Sequence, residues 1–139
     1  MDVRKKTDSI IIHCAATKPT MDIGYKEIRT WHVDQNGWDD VGYHYIIRRN
    51  GKYEKGRPEG YSGAHAPSHN GRSIGICLVG GMAEDGGPEN NFTLEQFLTL
   101  KDLINMLMDK YSDITEILGH CDIQENKPNC PGFNVKEWL

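Results

Sequence analysis

The sequence predicts an α/β fold: a single domain, residues 1–139, built on a central mixed β-sheet. Three features predict it. Short β-branched apolar runs have the length of buried strands, two segments carry helical apolar spacing, and one dipeptide signals a hairpin. The length suits one core of real size.

Taken in order, Ser9 to His13 reads as a buried central strand with a polar exit. Tyr25 to Gln35 is a predicted helix, with Ile28, Trp31 and His32 on one face at i, i+3, i+4. Tyr43 to Arg49 and Lys52 to Lys55 flank Asn50-Gly51, a strong short-range hairpin signal. Ser73 to Val79 is another buried strand, ending in Gly80-Gly81. Thr93 and Gln96 form a capping-box pattern, followed by Phe97, Leu100, Leu103, Ile104 and Leu107 on one helical face. Ile114 to Leu118 is a further strand, and Asn134 with Glu137 caps a short C-terminal helix carrying Trp138. The stretch from Gly56 to Arg72 has no periodicity, as expected of a groove wall or lid.

Composition narrows the partners. A formal charge of −4 without a Lys/Arg cluster argues against nucleic acid. No run approaches the roughly 18 apolar residues of a membrane span, so no membrane insertion is expected. Ile10 to Ile12 is too short for a signal-peptide core, so synthesis in the cytoplasm without a signal peptide is expected. The four cysteines suggest free thiols or metal ligation, with Cys14 and Cys77 as small buried hydrophobes. Monomer is the default oligomeric state.

His13, His120 and Cys130 stand out chemically. Each lies just past an apolar run or beside a turn, and each offers a nitrogen or thiolate suited to one Zn²⁺ ion. Two imidazoles and one thiolate leave the fourth tetrahedral position open for water, as in a catalytic rather than a structural site. Adjacent strands lie only about 5 Å apart, so two strand-end histidines can meet at one sheet edge. Such ligands must be deprotonated, and activity is expected to fall in acid.

Several ordered segments resemble the type-2 N-acetylmuramoyl-L-alanine amidases. They are His13-Cys14-Ala15-Ala16-Thr17-Lys18-Pro19, Trp31-His32, Gly37-Trp38 and Asp40-Val41-Gly42-Tyr43-His44-Tyr45. Ser73 to Gly81, Gly119-His120 and Cys130-Pro131-Gly132-Phe133 continue the match, from about Ser9 to Trp138. The likeness is strongest to short zinc endolysins of tailed phages, with peptidoglycan recognition proteins more distant.

The resemblance implies cleavage of the amide joining the lactyl group of N-acetylmuramic acid to L-alanine, with peptidoglycan or a muropeptide as substrate. It implies a mixed sheet flanked by helices and zinc on His13, His120 and Cys130. It also implies that Tyr43 is catalytic; a phenol with a pKa of about 10 is a hydrogen-bond donor to a developing oxyanion before it is a base. Lys127 is the candidate second catalytic group, although it stands three residues before Cys130 where similar proteins commonly have two. His65, and more weakly His69 and Asn70, are candidate substrate-binding residues of the groove. His32 and His44 are read as structural, and Cys121 as a weaker ligand than Cys130. Two other roles fit the same motifs: a non-catalytic peptidoglycan-binding sensor, and a cytoplasmic muropeptide-recycling amidase. Release to the cell wall by a holin-type route would suit an endolysin.

Overall fold

In the computed structural model, which describes residues 1–139, the strands are β1 (Ser9–Cys14), β2 (Tyr45–Ile47), β3 (Tyr53–Lys55), β4 (Ser73–Leu78) and β5 (Glu116–Gly119). They form one sheet in the order β3-β2-β4-β1-β5. The β2–β3 hairpin is antiparallel and every other pairing is parallel, so the sheet is mixed. Asn50-Gly51 makes the turn, where Gly51 takes a φ of +87° that a side chain would strain.

Continuous apolar runs form β1 and β4 because both strands are buried on both faces. One face carries Ile10, Ile12, Ile74, Ile76 and Leu78, which pack against Leu100, Leu103, Ile104 and Leu107 of helix α2 (Leu94–Lys110). The opposite face carries Ile46 and Cys77, which pack with Val41 and Val79 against Ile28 of helix α1 (Tyr25–Arg29). On that face, too, Ile11 meets Ala66 from the long connection between β3 and β4. By the two-residue period of a strand, His13 shares this face with Ser9 and Ile11. Parallel register sets Ser73, Gly75 and Cys77 beside those three residues in turn.

The Thr93 capping box is closed in both directions: Gln96 N donates to Thr93 Oγ1 at 3.1 Å, and Thr93 N to Gln96 Oε1 at 2.9 Å. Gln96 is fully buried, and its amide donates to the carbonyls of Ile47 and Val79 at the ends of β2 and β4. This one side chain therefore pins α2 to the sheet. Asn134 likewise caps helix α3 (Val135–Trp138) by accepting from Glu137 N. No helix is long and apolar enough to cross a membrane.

The structure differs from the sequence expectation in detail: β2 covers only Tyr45–Ile47 of the run Tyr43 to Arg49, because the backbone groups of Tyr43, His44 and Arg48 go to loop and turn bonds beyond the strand. The helix from Tyr25 continues to Gln35, but its second half, Thr30–Gln35, is a π-helix. Ile114 lies before β5 rather than in it, buried as a plug in the core. Beyond β5 the chain turns at once into a single 3₁₀ turn, His120–Asp122.

Candidate metal centre

The sheet register brings the two histidines together. Ile12 pairs with Gly119, so the next residues, His13 near the end of β1 and His120 just past β5, come side by side. Their Nδ1 atoms are 3.1 Å apart, and Cys130 Sγ lies 3.9 Å from His13 Nδ1. The three ligand atoms all lie within 4.8 Å of one another. A tetrahedral zinc with bonds of about 2.0 Å to nitrogen and 2.3 Å to sulfur would separate two nitrogens by about 3.3 Å, and nitrogen from sulfur by about 3.5 Å. The donor set therefore has the chemistry of a three-residue zinc site, and the His13–His120 and His13–Cys130 separations are close to those a bound ion would set.

Cys130 arrives on the loop after the 3₁₀ turn. Cys121 N donates to the Cys130 carbonyl at 2.8 Å, and Cys14 N donates to Cys130 Sγ at 3.3 Å. A backbone N–H on the sulfur favours its thiolate form. Contact with Cys14 and burial push the Cys130 thiol up, and a divalent cation supplies the charge that overcomes both. Cys121, one residue past His120, takes no part in this cluster.

Both imidazoles are held neutral. Burial above all, then the neighbouring His65 and His120 rings, holds His13 well below its ordinary value. Burial also lowers His120, with the nearby Lys127 ammonium acting in the same direction. Each ring keeps its far nitrogen on a partner: His13 Nε2 is 2.8 Å from His65 Nδ1, and His120 Nε2 sits against Gln124 Oε1. A metal-ligating histidine usually has such a partner.

The centre opens into a cavity of about 670 Å³ lined by Trp38, Tyr43, His65, Asn70, Gln124 and Lys127, among others. The Tyr43 ring centroid is 5.1 Å from that of His13. Burial holds the Tyr43 hydroxyl well above its ordinary value, so it stays protonated. Lys127 is exposed on the loop that carries Cys130.

The other sequence candidates divide. Asn70 lines the cavity, and its Oδ1 accepts from the backbone N–H groups of His65 and Ala66, both at 2.9 Å. His69 does not line it; its ring bonds Ser68 and Arg72. His32 and His44 are structural, accepting backbone N–H bonds from Gly42 and Gly75 respectively. Sequence reasoning missed two residues: Cys14, whose amide holds the ligand sulfur, and Gln124. The four-residue step from His120 to Gln124, one helical turn, was the available signal.

A family model described as N-acetylmuramoyl-L-alanine amidase matches residues 3–133. The endolysin of Klebsiella phage KP32 is 45% identical over 135 residues, covering 97% of this chain and 87% of the phage protein. Peptidoglycan-recognition protein SC2 of Drosophila simulans is 29% identical over 131 residues, covering 91% of this chain and 68% of its own. The solved structure of the endolysin N-acetylmuramoyl-L-alanine amidase LysCS from Clostridium intestinale superposes with a TM-score of 0.83. That match has 32% identity and covers 99% of this chain and 83% of the other.

Proposed function

The chain belongs to the N-acetylmuramoyl-L-alanine amidase family, and from that premise we propose how its residues divide the work of hydrolysis and where it acts. It is a zinc-type amidase for the bond between N-acetylmuramic acid and L-alanine. The observation that carries the reading is the convergence of His13, His120 and Cys130 on the floor of an open cavity. Zinc, when bound there, supplies a Lewis acid for the carbonyl and acidifies water.

The residues do the rest. His13 and His120 stay neutral and keep their Nδ1 lone pairs for the ion. Tyr43 offers its hydroxyl proton to the lactyl carbonyl oxygen as water adds and negative charge develops. Its raised pKa makes it a donor there and not a base. Lys127, on the loop at the cavity wall, gives the same oxygen a second donor, this one positively charged. The adding water gives its oxygen to the carbonyl carbon and its proton to the amide nitrogen, so the C–N bond breaks and L-alanine leaves with a free amine. Asn70 holds the wall beside the centre in shape through its two backbone bonds. Every group given a role here lies on this chain, which supports a monomer as the working unit.

We further propose an endolysin role, acting on cell-wall peptidoglycan, on the strength of 45% identity to a phage endolysin over nearly the whole chain. A sensor without chemistry would be expected to lack a ligand, and none is missing. The test is release of peptides with a free N-terminal L-alanine from purified sacculi. Release that a chelator abolishes and Zn²⁺ restores supports hydrolysis at this centre; muropeptide binding without release overturns it. A preference for soluble anhydro-muropeptides over sacculi would overturn the endolysin role in favour of recycling.

A further inference from the structure

We infer that His65 is a positioning residue for the metal centre, the middle of a one-way hydrogen-bond relay from His13 through His65 and Ser73 to the His69 carbonyl. This inference rests on the zinc amidase reading and adds to it a residue that touches neither ion nor scissile bond.

The direction of the relay follows from which atoms face each other. His13 presents Nδ1 to His120 Nδ1 and Cys130 Sγ, so Nδ1 is its ligand atom. A neutral imidazole that gives one nitrogen's lone pair to a metal carries its proton on the other. The proton of His13 is therefore on Nε2, which donates across 2.8 Å to His65 Nδ1. His65 Nδ1 must then be an acceptor, which places the His65 proton on Nε2. That atom lies 3.3 Å from Ser73 Oγ. Ser73 Oγ in turn donates to the His69 carbonyl at 2.6 Å, an atom that can only accept. A backbone carbonyl thus fixes the polarity of every bond back to the ion. In the opposite order the His13 proton would sit on the nitrogen that faces the metal.

The fold is built around this ring. His65 and Ser73 are buried, at 7% and 0% exposure, so water does not compete for their bonds. Two glycines make the slot. A Cβ at Gly63 would come within 2.4 Å of His65 Cδ2, and a Cβ at Gly75 within 2.7 Å of His65 Cγ and Cδ2. Gly75 stands between Ile74 and Ile76 in the buried strand β4, where glycine marks a close approach. The His65 main chain is held as well, through its N–H to Asn70 Oδ1.

The test uses the full chain, stripped of metal and titrated with Zn²⁺ against a chromophoric chelator. His65→Asn keeps an acceptor oxygen near the position of Nδ1, whereas His65→Leu fills similar space without one. Zinc affinity is expected to fall about 10–100-fold in His65→Leu and to recover most of that loss in His65→Asn. Long-range ¹⁵N–¹H NMR of the zinc-loaded wild-type protein is expected to show the His65 proton on Nε2. Wild-type zinc affinity in folded His65→Leu overturns the relay, as do equal losses in both variants. A raised KM with unchanged zinc affinity overturns it in favour of a substrate contact, and a His65 proton on Nδ1 refutes it even where His65→Leu fails to fold. A wild-type chain that takes up no zinc fails differently, refuting the metal assignment itself.

Discussion

Replacing Gly75 by alanine adds one methyl group to the protein, yet it should weaken a metal site that residue 75 never touches. The added Cβ would stand 2.7 Å from His65 Cγ and Cδ2 and 2.8 Å from Nδ1. Ordinary carbon contacts lie at about 3.5–4.0 Å, so the ring must retreat by roughly 1 Å. The strand cannot yield in its place. Gly75 pairs with Ile11, donates its N–H to His44 Nδ1 at 3.0 Å, and accepts from His44 N at 2.9 Å. A retreat of that size stretches the 2.8 Å bond from His13 to His65 beyond hydrogen-bonding range. Overpacking costs about 1–3 kcal/mol and the lost bond about 1 more, a destabilisation of about 2–4 kcal/mol. Zinc affinity should fall by about tenfold or more as His13 loses its orientation. Urea unfolding of the metal-free protein reads the first effect and chelator competition the second. Gly60→Ala is the control, since nothing lies within 4 Å of its Cβ. It should stay within about 0.5 kcal/mol of the wild type. Gly75→Ala with wild-type unfolding and wild-type zinc binding would refute the close approach and the role given to the His65 ring.

Tyr43→Phe should lower kcat by about two orders of magnitude, the loss of one oxyanion donor, while zinc content stays that of the wild type; unchanged turnover on sacculi would remove Tyr43 from the chemistry. Gln96→Leu leaves the Ile47 and Val79 carbonyls without the Gln96 amide and opens the α2 cap, so it should destabilise by about 2–4 kcal/mol in urea with kcat per folded molecule unchanged. For Glu59, burial raises the carboxyl, but hydrogen bonds from Lys110 and Tyr45 outweigh it and hold the pKa below the ordinary value. A depressed carboxylate contributes stability above its unfolded pKa of about 4.3 and loses it as pH falls through the folded value. Glu59→Gln should therefore unfold at lower urea than the wild type at pH 7, and the gap should close below about pH 4; a gap that persists or widens in acid would show that the carboxylate's charge is not what stabilises.

What the sequence made legible follows from where information is local. Ile10-Ile11-Ile12 and Ile74 to Leu78 declare buried strands because both faces are covered, and Thr93 with Gln96 declares a helix start because the cap closes within four residues. The metal ligands were legible for another reason: few residue types bind zinc, and strand ends are where distant segments meet. The π-helical turn at Thr30–Gln35 left no such mark, since its hydrogen-bond shift comes from packing and not from any one residue. The same holds for Cys14, which reads as a small hydrophobe until the fold sets its amide on the Cys130 sulfur. His65 is the instructive case. In Gly63-Ala64-His65, which is similar to the family segment lining the groove, it suggests a substrate contact, because nothing local says that its ring will face β1. That fact comes from register: Ser9 opposite Ser73 sets Gly75 beside Ile11 and puts Ser73, Gly75 and His13 on one face of the sheet. The ring fills the space that the missing Gly75 side chain leaves. A glycine inside a β-branched run was the one trace of this arrangement in the sequence. The residues that bind the ion could be read from their chemistry, whereas those that orient them could be read only from what the fold leaves empty.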